Sequence, residues 1–258
     1  MTALLNESIH HVHTITLNRI DKHNAFDDKL LSELQLALDN AIADPSIRVI
    51  VLNANGRHFS AGADLAWMQR MARLNETENQ ADAMILARVM NTLYQCPKPT
   101  LAIVQGAAYG GGAGLVAACD IAIAAHSARF CFSEVKLGLI PAVISPYVIK
   151  AIGERTATWL FMSAETIDAP RALDLHLIHH CLPEEELQAY ALNYAQQLAS
   201  LAPGAVCASK ALVRQVSGQP IDDELQLLTA NLIAKQRGSV EGQHGLKAFL
   251  NKETPTWN

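Results

Sequence analysis

The chain has 258 residues, half of them apolar and 17% charged, with a formal net charge of -5. That length can bury a sizeable core, in one large domain or a core with an appendage, and the composition excludes a disordered chain. A mildly acidic chain without a Lys/Arg run argues against a dedicated nucleic-acid binder.

The first residues, MTALLNESIHHV, contain no basic segment leading into an apolar stretch, so no secretory leader is expected. HHVHTITLNR alternates and is β-branched, which predicts a strand. His10, His11 and His13 are expected on an edge strand, without a metal, because no matching ligand cluster follows. DDKLLSELQLALDNAIAD has apolar residues at helical spacing behind an aspartate and predicts a helix. IRVIVLNAN is a short continuous apolar run, the mark of a buried strand.

Farther along, PTLAIVQG predicts a strand, GGAGLVAACD a Gly-led helix, IAIAAHSARF a strand and ISPYVIKAIG a helix. This alternation predicts an α/β chain with a parallel sheet. The longest apolar stretch, GLVAACDIAIAAH, is interrupted by Asp120 and is too short to span a bilayer, so no membrane segment is expected. After about residue 185 the pattern turns helical, through EELQAYALNYAQQLASL, GAVCASKALVRQV and DDELQLLTANLIAKQRG. The expected organisation is a core over 1–190 and a helical C-terminal assembly region over 191–258. Cys96, Cys119, Cys131, Cys181 and Cys207 are odd in number, with no CxxC. They read as buried reduced thiols of a cytoplasmic protein.

Three segments carry candidate chemistry. VIVLNANGRHFSAGADLAWMQRMA and TLAIVQGAAYGGGAGLVAACD share a plan of buried strand, loop of small residues and helix. Small residues let a ligand approach the main chain, and the free N–H groups of a helix start favour negative charge. Two such loops can each offer one N–H to the same oxygen, which would make an oxyanion hole. Close helix–strand packing explains the glycines equally well at this point. Neither loop is a dinucleotide or P-loop fingerprint, and no metal or redox cofactor is implied. The third segment, FCFSEVKLGLIPAVISPYV, places Glu134 among apolar residues. Such a carboxylate should have a raised pKa suited to general acid–base work, unless it is a surface glutamate at a strand end. Trp67 and Met68 read more readily as core than as acyl-pocket lining.

Together LNRIDKHNAF, FSAGADLAWM, VQGAAYGGGAGLVAACDIAIA, ARFCFSEVKLGLIPA and EGQHGLKAFLNKETPTW resemble the enoyl-CoA hydratase/isomerase (crotonase) family, in its order and along nearly the whole chain. The resemblance implies a spiral of ββα units with a helical C-terminal trimerisation region, and a homotrimer or dimer of trimers. It implies an acyl-CoA thioester substrate, with no cofactor beyond the substrate's own coenzyme A. Ala63 and Gly111 match the two backbone donors to the thioester oxygen, and Glu134 the catalytic acid–base. Substrate contacts are implied at Lys22 and His23, at Ala61, Asp64, Leu65 and Ala66, and at Gly110 and Gly114. Phe249 and Lys252 match a pair that often reaches a neighbour's adenine and phosphate. Asp64 reads better as a helix cap.

The sequence departs from that pattern at one place. Typical hydratases of the family carry a first glutamate in GGGxE, and here that position is Gly114. A single acid matches the family's double-bond isomerases. The flanking ADLAWMQRMA, and PAVISPYVI where other hydratases have PGAGGTQRL, are similar to the bacterial methylglutaconyl-CoA hydratase group, which replaces the same glutamate with glycine. That similarity spans more positions and favours water addition to a branched enoyl-CoA such as 3-methylglutaconyl-CoA.

Overall fold

The computed structural model describes residues 2–257. β1 (Leu4–Ile9) and β2 (Val12–Leu17) form an antiparallel hairpin. His10 and His11 are its turn, with φ of 48° and 65°, as a two-residue hairpin loop of the primed kind needs. α1 (Asp28–Ala43) starts at Asp27, whose carboxylate accepts the Leu30 N–H. There follow β3 (Val49–Ala54), α2 (Leu65–Met71), α3 (Glu76–Gln95), β4 (Thr100–Val104), β5 (Ala107–Tyr109) and α4 (Gly111–Ala118). The next elements are β6 (Ile121–Ala125), β7 (Arg129–Cys131), α5 (Ser145–Ser163), β8 (Ile167–Asp168), α6 (Ala169–Asp174) and β9 (His180–Leu182). The chain closes with α7 (Glu184–Ala199), α8 (Pro203–Val216), α9 (Asp223–Gly238) and α10 (Val240–Asn251).

The larger sheet has the order β1-β2-β3-β4-β6-β9 and is parallel from β2 to β9. A smaller sheet has the order β5-β7-β8. The chain therefore visits the large sheet, then the small one, then a helix, and repeats. This is the expected α/β spiral, with a helical C-terminal region. Two expectations need correction. The strand read through His10, His11 and His13 is not an edge, because β1 covers it on one side and β3 pairs on the other. IAIAAHSARF is not one strand: it turns at His126 and Ser127, so β6 joins the large sheet and β7 the small one.

Both faces of the large sheet are covered, which is why its strands read as unbroken apolar runs. Ile50, Leu52, Ala102, Val104, Ala122 and Ala124 face the main core with α1, α3, α4 and α5. Val49, Val51, Leu101, Ile103, Ile123 and Ala125 face the other way, onto Leu187, Ala191, Ala195 and Ala199 of α7. The expected boundary at residue 190 falls inside α7, which packs on the sheet over its whole length. The helices after it are different: α8 and α9 bury no side chain and α10 buries only Ala248. Among the described residues, no helix is long and apolar enough to cross a membrane.

α8 is tied to the core at Asp120 and Lys98. Asp120 accepts the Thr100 N–H at 2.8 Å and the Thr100 hydroxyl at 2.9 Å. It also pairs with Lys210 of α8, whose Nζ donates to the Lys98 carbonyl at 2.9 Å. Lys210→Ala removes these charge-assisted bonds and should lower unfolding stability by about 1–3 kcal/mol. A urea titration reads this as a lower midpoint, and limited proteolysis should then cut first after residue 200.

Candidate active site

The two loops read from the sequence are brought together by hydrogen bonds. Ser60 donates its N–H to the Ala107 carbonyl, and the Ser60 carbonyl accepts the Tyr109 N–H, each at 3.0 Å. Phe26 brackets the first loop in the same way. Its N–H donates to the Gly62 carbonyl and its carbonyl accepts the Asp64 N–H, each at 2.9 Å. In such a parallel bridge alternate groups point away from the partner. The Ala63 N–H is therefore left without an acceptor among the described residues. The Gly111 N–H is unpaired for a different reason. It is at the first turn of α4, where helical donors have no partner, and Gly110 offers no side-chain cap.

The glycine run is required by what lies against it. Gly110 has φ of 50°, a left-handed conformation open chiefly to glycine. A Cβ there would stand 3.2 Å from Glu134 Oε1. A Cβ at Gly111 would run into the ring edge of Phe26, and one at Gly112 would come within 2.9 Å of the Ser60 Cβ and carbonyl oxygen. Close packing therefore explains Gly111 and Gly112, and the Gly111 N–H is at the same time left free at the start of α4.

Glu134 begins a short turn, Glu134–Leu137, directly after β7. The Gly110 N–H donates to the Cys131 carbonyl at 2.8 Å, which locks that segment to the glycine run. Glu134 Oε2 is buried and has no hydrogen-bond partner among the described residues. Burial raises its pKa, opposed only weakly by its own backbone. A buried carboxylate without a cation holds its proton more tightly, which suits general acid–base work. The alternative of a solvated strand-end glutamate is excluded.

Asp64 is buried and behaves in the opposite way. Burial pushes its pKa up, but the Ala66 and Trp67 N–H groups, with Lys22 and Arg19, outweigh it and hold the carboxyl below the usual range. It caps α2 and lies 3.3 Å from Arg19 and 3.7 Å from Lys22. Lys22 and His23 are exposed beside it, as are Ala61, Leu65 and Ala66. The His23 ring meets that of His58 edge-on at 5.0 Å. Trp67 is core: it is buried, its indole N–H donates to Asp82 at 2.9 Å, and its ring meets Phe26. Gly114 is buried inside α4, with Ile144 against the direction a side chain would take. Phe249 and Lys252 are exposed at the end of α10, and no hydrogen bond or ion pair joins them to these loops among the described residues.

Two residues that hold the site escaped sequence reasoning. Asn24 and Ser60 are both fully buried polar residues. The Asn24 amide donates to the carbonyls of Asn55 and His58, each at 2.8 Å, and its oxygen accepts the Arg19 N–H. The Ser60 hydroxyl donates to the Asn24 carbonyl at 2.9 Å and accepts the Gly62 N–H at 3.2 Å. The available signal was a small polar residue enclosed by apolar ones, in HNAF and FSAG.

The site thus offers two N–H groups without an acceptor among the described residues and one carboxylate with a buried oxygen, while Arg19 and Lys22 pair with Asp64 beside the first loop. Among the described residues no group of His, Cys, Asp or Glu is placed to hold a metal ion. Burial raises the pKa of the Cys96, Cys119, Cys181 and Cys207 thiols, so none of these is an activated nucleophile. The sequence profile of the enoyl-CoA hydratase/isomerase family matches residues 7–258. The chain belongs to the enoyl-CoA hydratase/isomerase family.

The chain is 34% identical to the 2,3-dehydroadipyl-CoA hydratase of Escherichia coli, over 99% of this chain and 98% of that one. A solved enoyl-CoA hydratase from Shewanella pealeana is 44% identical, with a TM-score of 0.95, over 99% of this chain and 96% of that one. A Legionella pneumophila structure, described at the level of the same family, is 60% identical, with a TM-score of 0.96, over 99% and 98% of the two chains. The fold is therefore the crotonase fold.

Within this family member, ionised Glu134 should cost stability. Its folded pKa is raised, so its contribution is full below the ordinary glutamate pKa and is lost as pH rises through the folded value. Glu134→Gln should melt higher than the parent at neutral pH. The gap should vanish as pH falls below the ordinary glutamate range. Melting curves across that range check it, and equal melting temperatures at every pH would refute it.

Proposed function

We propose that this protein adds water across the conjugated double bond of a 2-enoyl-CoA, and that its preferred acyl group is branched and carboxylated, as in 3-methylglutaconyl-CoA. The observation that carries the reading is the partnerless buried oxygen of Glu134 packed against Gly110, next to the unpaired Gly111 N–H. In this reading the thioester oxygen lies between the Ala63 and Gly111 N–H groups. As electrons move from the double bond toward that oxygen, both donors stabilise the developing enolate. Each such donor is worth about 3 kcal/mol of barrier.

Water then adds at Cβ while Glu134 takes one of its protons. The same carboxyl returns a proton to Cα, which collapses the enolate to the saturated thioester. One group suffices when both additions occur on the same face. A carboxylate on the substrate can help to hold the water. Lys22 and His23, beside Asp64, are the contacts assigned to coenzyme A, and Ala61, Leu65 and Ala66 line its path. No further cofactor is needed. The branched acyl group is supported by Gly114 and by PAVISPYVI, the features similar to the methylglutaconyl-CoA hydratase group.

A homo-oligomer in the cytoplasm completes the reading. Its support is the apolar surface of the C-terminal helices, where Val213, Leu227, Phe249 and Leu250 are exposed. Phe249 and Lys252 would then serve a neighbouring site and not their own.

Absorbance of the conjugated thioester tests the reaction. It should fall quickly with 3-methylglutaconyl-CoA and at least tenfold more slowly with crotonyl-CoA. Glu134→Gln should lose about 100-fold or more in kcat, the scale of a positioned acid–base, while remaining folded. Turnover of 3-enoyl-CoA with no water uptake on either conjugated substrate would overturn the reading in favour of isomerisation.

A further inference from the structure

The direction a side chain would take from residue 114 is fixed by the backbone of α4, and it is occupied. A Cβ built at Gly114 stands 2.7 Å from the Cβ of Ile144, closer still to its Cγ2, and 3.1 Å from the end of Met90. Met90 is a flexible neighbour and can give way. Ile144 cannot, because its Cβ moves only with the backbone and its branched side chain is stiff at χ1. Ile144 is itself buried and leads into α5, which packs on α4 and on the turn that begins at Glu134.

We propose that Ile144 is the residue that holds this site to a single carboxylate, by filling the volume of any side chain at 114, so that Gly114 and Ile144 act as one unit. The inference rests on Glu134 being the acid–base. It makes Ile144 a positioning residue, not a catalytic one. Truncation to alanine would not release position 114, because the obstructing Cβ remains. Only glycine at 144 removes it.

The test is a double-mutant cycle of Gly114→Glu and Ile144→Gly, with Ile144→Ala as a third background. Gly114→Glu alone should lose several degrees of melting temperature, as overpacking of a full core does. Ile144→Gly alone should also lose stability, through the cavity it leaves. The double variant should melt well above the value expected from adding the two losses, while Gly114→Glu on Ile144→Ala should stay near additive. Additive losses in the glycine background would overturn the proposal, and so would a Gly114→Glu variant as stable as the parent.

The second readout is the pH dependence of hydration. The double variant should gain a second ionisation on its acid limb, and Ile144→Gly alone should keep the parent's profile. A double variant with an unchanged profile would overturn the proposal. If the parent hydrates no enoyl-CoA, the proposed reaction fails, and the melting cycle still decides whether 114 and 144 are coupled.

Discussion

Everything at the site depends on one buried serine. Ser60 joins three segments of chain: its main chain pairs with Ala107 and Tyr109, and its hydroxyl bridges Asn24 and Gly62. The Ala63 N–H lies three residues after it on one loop. The Gly111 N–H lies two residues after Tyr109 on the other. Their separation is set by this contact and by Gly112, which lets α4 close onto the Ser60 side chain. Every polar atom of Ser60 is satisfied, which makes a buried network rigid instead of costly. A preorganised pair of donors needs such rigidity, since donors that must rearrange lose their advantage as charge develops.

Electrostatics around that frame separates two carboxylates. Asp64 takes two backbone N–H groups and faces Arg19 and Lys22, so its charged form is favoured. Glu134 has no cation, and one of its oxygens has no donor, so desolvation wins. The opposite directions thus reflect the N–H donors and cations that only Asp64 has. Glu134 also faces the N-terminal end of α4, where unpaired donors would ordinarily favour a carboxylate. Its pKa is raised nonetheless, through burial.

The fold was legible wherever a single face or a full run of side chains settled an element. The runs at 49–54 and 100–104 are strands because both sheet faces are covered. Helix α1 was legible through its cap and its spacing. β1 was not assigned, since LLNESI exposes most of its side chains and carries no apolar alternation. α3 was missed as well, because its polar first half hides a strong capping box at Asn75 and Glu78. The histidine strand was misplaced for want of β1: an edge is defined by its neighbour, not by its own residues. In IAIAAHSARF the change of sheet occurs within a turn of ordinary residues, which no periodicity marks. At the site, the loops, the donors and Glu134 were legible as a pattern, whereas Ser60 and Asn24 act through partners distant in sequence.

Gly114 illustrates the same limit in a sharper form. In sequence it reads as a lost carboxylate, and PAVISPYVI reads as an independent departure. In the structure the two are in contact, since Ile144 occupies the space above Gly114. A small residue on α4 and a branched one before α5 fill one volume between them, as close-packed interiors require. A change at either position alone leaves a clash or a hole. The paired departure is therefore expected on packing grounds.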